Sequence, residues 1–203
     1  MAPARVTSEA QGRAHALGIA EMNRAVFLDR DGVLNRALLR EGSQASPRSL
    51  DEFELTPGAA EILRRLKAAG FLLICVTNQP ELARGDLAPE ALETMNAVLR
   101  RELPLDDLFV CPHDDAANCD CRKPKPGLVV RAAAKHDVDL GASFVIGDRW
   151  RDVEAGARAG CRTVFLDGGY DDRRPSVAPD ATVRSLEEAA SWVLSHAQAS
   201  VLD

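Results

Sequence analysis

The sequence predicts an α/β fold, a three-layer Rossmann-like parallel sheet with helices on both faces. Short continuous apolar runs at residues 25–28, 71–76, 108–110, 144–146 and 163–166 have the length of buried strands. Helical patterns alternate with them, as a parallel sheet covered on both faces requires. Three of the runs end in Asp29, Thr77 and Asp148, at the strand ends where ligands of such sheets bind.

The elements follow in order. Residues 1–22 are Ala-rich with weak helical periodicity and read as an N-terminal extension, disordered or loosely docked, with Met22 a possible alternative start. The first strand, 25–28, runs into Asp29-Arg30-Asp31-Gly32. A polar, irregular stretch from Arg36 to Phe53 comes next. Pro57-Gly58 then opens a helix through Ala69, with Thr56 its expected N-cap and Gly70 its stop. The second strand ends at Thr77-Asn78, a helix spans 89–101, and a short third strand covers 108–110. After a Cys-rich loop come a helix at 127–136, the fourth strand ending at Gly147-Asp148, and a helix at 155–159. The fifth strand and an amphipathic helix at 186–196 complete the chain. Residues 23–203 are read as a single domain, with no internal repeat and gaps too short for a large cap domain.

Bulk composition mainly excludes partners. The 203 residues carry a formal charge of −6 and few aromatics, which argues against a nucleic-acid scaffold. No apolar run has the length of a membrane span, and Glu9, His15 and Glu21 interrupt any secretory signal. Three of the five cysteines crowd between Cys111 and Cys121, which suits a metal site in a reducing compartment better than a disulfide framework. A cytoplasmic monomer is expected.

The chemistry gathers at the strand ends. Asp29 and Asp31 lie two residues apart as the chain leaves the first strand, and Gly32 lets the backbone turn behind them. One carboxylate can attack phosphorus and its neighbour can move protons for the leaving alcohol and for water. Such acids also suit Mg²⁺, with Asp148 completing the shell. Alone, Asp29 to Gly32 would read equally as an Asp-Gly turn with solvated acids. Thr77 offers a hydroxyl, and Asn78 a polar contact, to a phosphoryl oxygen; Thr77 could instead cap a following helix. Asp152 reads either as a helix cap or as a residue orienting Asp148. Lys123, in a stretch stiffened by Pro124 and Pro126, would neutralise charge on nucleophile and transition state. Cys111, His113, Cys119 and Cys121 offer three thiolates and an imidazole, a full tetrahedral shell for structural Zn²⁺. Arg122 and Lys123, which follow directly, would balance its charge.

These motifs, in this order, resemble the haloacid dehalogenase-like phosphatase superfamily. The signatures are Phe27-Leu28-Asp29-Arg30-Asp31-Gly32, Val76-Thr77-Asn78-Gln79, Arg122-Lys123-Pro124, and Gly147-Asp148-Arg149 through Asp152. The resemblance implies that Asp29 is the nucleophile, that Asp31 is the general acid and base, and that Thr77 and Lys123 stabilise the phosphoryl group. It also implies Mg²⁺ held by the Asp29 side chain, the Asp31 backbone carbonyl and Asp148. The zinc loop is similar to that of a compact subgroup acting on heptose bisphosphate or histidinol phosphate. By that likeness Arg122 and Arg149 contact substrate, and a heptose bisphosphate or another sugar phosphate is expected, with histidinol phosphate the alternative. Gln79-Pro80-Glu81-Leu82 stands where those relatives carry Gln-Ser-Gly. A catalytically silent zinc-stabilised binding domain would lack at least one of Asp29, Asp31, Lys123 or Asp148, and all are present.

Overall fold

The structure, a computed structural model, describes residues 22–40, 43–169 and 173–197. Strand β1 (Arg24–Leu28) lies inside the sheet, and its last four residues are fully buried. Alternate side chains of a strand point to opposite faces. Val26 and Leu28 accordingly join one apolar layer, Ala25 and Phe27 the other. β4 (Phe71–Asn78) and β6 (Phe144–Gly147) flank β1 in parallel and divide the same way. Leu73, Cys75, Phe144 and Ile146 face the first layer; Ile74, Val76 and Val145 face the second. Cys75 is thus a core residue, as its mid-strand position suggests. Each fully buried Leu, Ile or Phe contributes roughly 2 kcal/mol, so β1 firmly anchors the acids that follow it.

Parallel pairing continues outward to β5 (Asp107–Cys111) on one side, and to β7 (Arg162–Leu166) and β8 (Ala181–Val183) on the other. The order is β5-β4-β1-β6-β7-β8. The first face is covered by α1 (Ala59–Ala68) through Ile62, Leu63 and Leu66, and by α6 (Leu186–Ala197) through Ala189, Ala190 and Val193. The second face is covered by α4 (Gly127–His136) through Leu128, Val129 and Ala132. The i, i+3, i+4 spacing of these residues makes each helix one-sided and determines which face it buries. From β1 the chain builds β4 and β5 to one side, then crosses to build β6 on the other. That reversal opens a crevice at the carboxyl ends of β1, β4 and β6.

Several local features depart from the sequence reading. Arg36 to Phe53 is not wholly irregular. β2 (Leu38–Arg40) pairs antiparallel with β3 (Ser43–Ala45), and a single 3₁₀ turn covers Leu50–Glu52. Among the described residues nothing larger is inserted there. Thr56 does not cap α1. Gly58 sits in the left-handed region at φ +75°, so the helix starts at Ala59, too far on for Thr56. The Thr56 hydroxyl instead donates to the Val33 carbonyl at 2.7 Å, tying α1 to the loop behind the acids. β8 and the single-turn α2 (Glu81–Arg84) were not legible, being three or four residues long. Helix α3 (Pro89–Glu102) matches expectation, whereas α5 (Trp150–Ala159) begins five residues before its expected start at 155. The N-terminal extension expected over residues 1–22 lies outside the described residues except for Met22, which is exposed.

Candidate active site

The three strand ends bring Asp29, Thr77 and Asp148 to one buried site. Carboxylate oxygens of Asp29, Asp148 and Asp152 all lie within 4.8 Å of one another. Close backbone approach makes this possible. A Cβ on Gly32 would stand 1.7 Å from Asp148 Oδ2, and one on Gly147 2.1 Å from the Asp152 Cβ. Only glycine fits either position, and Gly32 also holds φ +92°.

Lys123 enters this cluster from the opposite loop and is almost wholly buried. Its Nζ lies 2.7 Å from Asp29 Oδ1, 2.5 Å from Asp152 Oδ1 and 2.8 Å from the Val76 carbonyl. Burial alone would lower its pKa, but Asp152 and Asp29 outweigh that and raise it, so the ammonium stays charged. Asp152 is the helix cap, and it meets Lys123 rather than orienting Asp148. Its Oδ2 accepts the Arg149 amide at 3.0 Å at the start of α5, while Oδ1 holds Lys123. Asn78 works on Lys123 too. Its Nδ2 donates to the Lys123 carbonyl at 3.0 Å and its Oδ1 accepts the Lys123 amide at 3.1 Å. The Asn78 side chain therefore positions the lysine.

One ammonium does not balance three acids. Burial first, then Asp152, raise the Asp29 carboxyl to about 6 despite Lys123. Burial, Asp29 and Asp152 push Asp148 well above the carboxylate range. Asp148 Oδ1 is buried without a hydrogen-bond partner. A hard divalent cation would satisfy that oxygen and relieve the repulsion, and an all-oxygen donor set suits one.

Asp31 is held differently. Arg30, fully buried, donates from Nε to Asp31 Oδ1 at 2.9 Å and from a terminal nitrogen to Oδ2 at 3.0 Å. Gln79 Nε2 donates to Asp31 Oδ2 at 2.8 Å and to Thr77 Oγ1 at 3.0 Å. Burial would raise the Asp31 carboxyl, but the Arg30 charge and these donors hold it below its usual value. Its carboxylate thus stands apart from the Asp29, Asp148 and Asp152 group.

Cys111, His113, Cys119 and Cys121 also converge, as their spacing suggests. Their sulfurs lie 3.2, 3.3 and 3.7 Å apart, and His113 Nδ1 is 3.4 Å from Cys121 Sγ and 3.7 Å from Cys111 Sγ. A tetrahedron built on Zn–S bonds of ~2.3 Å has edges of about 3.8 Å, so the four atoms fit around one ion. Cys161 is buried elsewhere and its thiol is raised to about 12, mainly by burial. The loop also steers arginines. Arg122 donates to the His113 carbonyl and, with Arg151, to Asp115.

Around these groups lies an open cleft of about 260 Å³, lined also by Arg149 and Glu81. Hairpin residue Gln44 closes one side. It hydrogen-bonds Asp148 through its side chain, and its backbone carbonyl accepts from Arg149 at 2.8 Å. Gln44 and Asp115 were missed as site residues because tertiary contacts, not local motifs, bring them in, whereas Arg30 lay within the Asp29-Arg30-Asp31 signature without being given a role.

The comparisons agree with this geometry. Residues 120–189 match the HAD-hydrolase-like family model. The Escherichia coli (strain K12) D-glycero-beta-D-manno-heptose-1,7-bisphosphate 7-phosphatase is 34% identical over 182 residues, covering 84% of this chain and 87% of its own length. The chain belongs to the haloacid dehalogenase-like phosphatases. Membership makes it a phosphoric monoester hydrolase by class. A heptose bisphosphate phosphatase from B. bronchiseptica, solved with magnesium and phosphate, superposes with TM-score 0.68 at 30% identity, over 85% of this chain and 99% of that one. A putative HAD-like phosphatase from Mesorhizobium loti superposes with TM-score 0.70 at 27% identity, over 88% and 87%. In keeping with this family's compact fold, no helix among the described residues is long and apolar enough to cross a membrane.

Proposed function

We propose that this chain is a magnesium-dependent phosphatase acting through an aspartyl-phosphate, with D-glycero-D-manno-heptose 1,7-bisphosphate as substrate, the 7-phosphoryl group transferred and the sugar 7-oxygen leaving. The observation that carries it is the Lys123 ammonium bridging Asp29 and Asp152 beside Asp148. Asp29 attacks phosphorus, and the bond from phosphorus to the sugar oxygen breaks with its electron pair on that oxygen, which takes a proton from Asp31. Asp31 then removes a proton from water, the water oxygen bonds phosphorus, and Asp29 leaves as carboxylate. Arg30 and Gln79 favour ionised Asp31 and so favour the second half. Lys123 and Thr77 offset phosphoryl charge, and Arg122 and Arg149 hold the ester in the cleft. Mg²⁺, held by Asp29, Asp148 and the Asp31 carbonyl, would supply further charge neutralisation on the phosphoryl oxygens. Zn²⁺ on the four Cys and His ligands is structural. Reduced thiolates in that role support a reducing compartment, which we read as the cytoplasm, and we read the protein as a monomer.

A phosphate-release screen tests the substrate. Heptose 1,7-bisphosphate is expected to give the highest kcat/KM, ahead of histidinol phosphate and other small phosphomonoesters. A higher value for histidinol phosphate would replace the substrate assignment.

Metal binding has its own test. A carboxyl whose folded pKa exceeds its unfolded one stabilises the fold while protonated, and loses that contribution as pH rises through the folded value. For Asp29 that value is about 6, and Asp148 shifts the same way. Metal-free protein should therefore lose stability as pH rises from the ordinary carboxylate range through ~6, and above that the ionised acids bind Mg²⁺ best. At one fixed Mg²⁺ concentration, tenfold above the Kd at pH 8, Tm should rise by about 3–5 °C at pH 8 and by much less at pH 5. An equal shift at both pH values in calorimetry would refute this cation site.

A further inference from the structure

Most charged groups of the cleft are already satisfied within the protein. Asp29 and Asp152 share Lys123, Asp31 holds Arg30, and Asp115 takes Arg122 and Arg151. Glu81 is different. Among the described residues its carboxylate makes no hydrogen bond and no ion pair, and Oε2 is closed off from water without a partner. Arg84, one turn along α2, is not paired with it. A carboxylate oxygen withdrawn from water without a donor is held at a cost that a bound ligand can remove.

Glu81 is fixed by its backbone and not by its side chain. Its carbonyl accepts the amides of Gly85, Asp86 and Leu87, which anchors α2 while leaving the carboxylate free. It stands two residues after Gln79, which binds Asp31 and Thr77, so it flanks the phosphate end of the cleft. We propose that Glu81 is a specificity-determining residue that accepts a hydrogen bond from a hydroxyl on the carbon skeleton of the phosphate ester. This rests on the phosphatase reading above, in which the ester's phosphate occupies Asp29 and Lys123. A second anionic group near Glu81 would be repelled by it. An ammonium entering the cleft would meet Arg122, Arg149 and Arg151, which line the same space. A neutral hydroxyl suits both constraints, and a carboxylate is a strong acceptor for one.

The test is a ratio measured within each preparation: kcat/KM on heptose 1,7-bisphosphate divided by kcat/KM on propyl phosphate, which has no hydroxyl. Glu81→Ala should lower this ratio tenfold or more. Glu81→Gln, which keeps an acceptor oxygen, should recover part of the loss. Because misfolded enzyme is silent on both esters, it cancels from the ratio. A ratio within twofold of wild type in Glu81→Ala would overturn the inference. So would a variant whose greatest loss falls on an amino-alcohol phosphate, since the donor would then be an ammonium. Wild-type enzyme inactive on every phosphate ester would instead overturn the phosphatase reading and the inference with it.

Discussion

Asparagine in place of Asp29 should lower phosphate release by about 10⁴-fold or more, on the order of 5 kcal/mol of barrier. The amide preserves side-chain shape, and its oxygen can still accept the Lys123 hydrogen bond seen at 2.7 Å. What it lacks is the charge and nucleophilicity needed to form an acyl phosphate. Stability should move the other way. Asp29, Asp148 and Asp152 repel one another in a buried space, and removing one charge relieves the other two. Metal-free Asp29→Asn should therefore melt no lower than wild type, the usual relation where a strained site serves chemistry. Steady-state phosphate release and calorimetry on one preparation check both halves. Turnover near the wild-type rate would remove Asp29 as nucleophile.

Replacing Cys119 and Cys121 together by serine should abolish zinc binding and lower Tm by about 10 °C or more. The loop has few apolar contacts beyond Cys111 and Cys121, so the ion would supply most of its order. Activity should fall at least about tenfold, because Lys123 lies two residues beyond Cys121 and a misplaced charge stabilises little. Cys161→Ser is the control. Its sulfur lies outside the cluster, so zinc content should stay near one ion per chain. Elemental analysis of protein purified without chelator reads the metal directly. Full activity and unchanged Tm without zinc would show that the loop orders itself.

The parts of the fold that could be read from sequence were those with dense local signals. β1, β4, β6 and β7 are runs of four or more residues dominated by apolar side chains, and α4 carries a clear one-sided pattern between Pro126 and Asp137. β2, β3, β8 and α2 are short and half-exposed, too brief for a period to repeat. α5 was placed late because its first turn, Trp150-Arg151-Asp152, mixes an aromatic with two charges, although its buried face begins at Asp152. The site divides in the same manner. Asp29, Thr77, Lys123 and Asp148 each sit in a motif at the end of a strand or loop. Gln44 reaches Asp148 from 104 positions away, and Arg30 meets Asn96 from 66 positions away. No local pattern encodes such pairs, because the closing of the sheet creates them.

The triple engagement of Lys123 carries an evolutionary consequence. One ammonium joins Asp29 after β1, the first turn of α5 and the end of β4, so a change there would loosen three segments at once. Mutational effects at this position should be strongly epistatic with those at Asp29 and Asp152. Adaptive drift is left to the outer wall of the cleft, where Glu81 and Arg151 can vary without disturbing that knot.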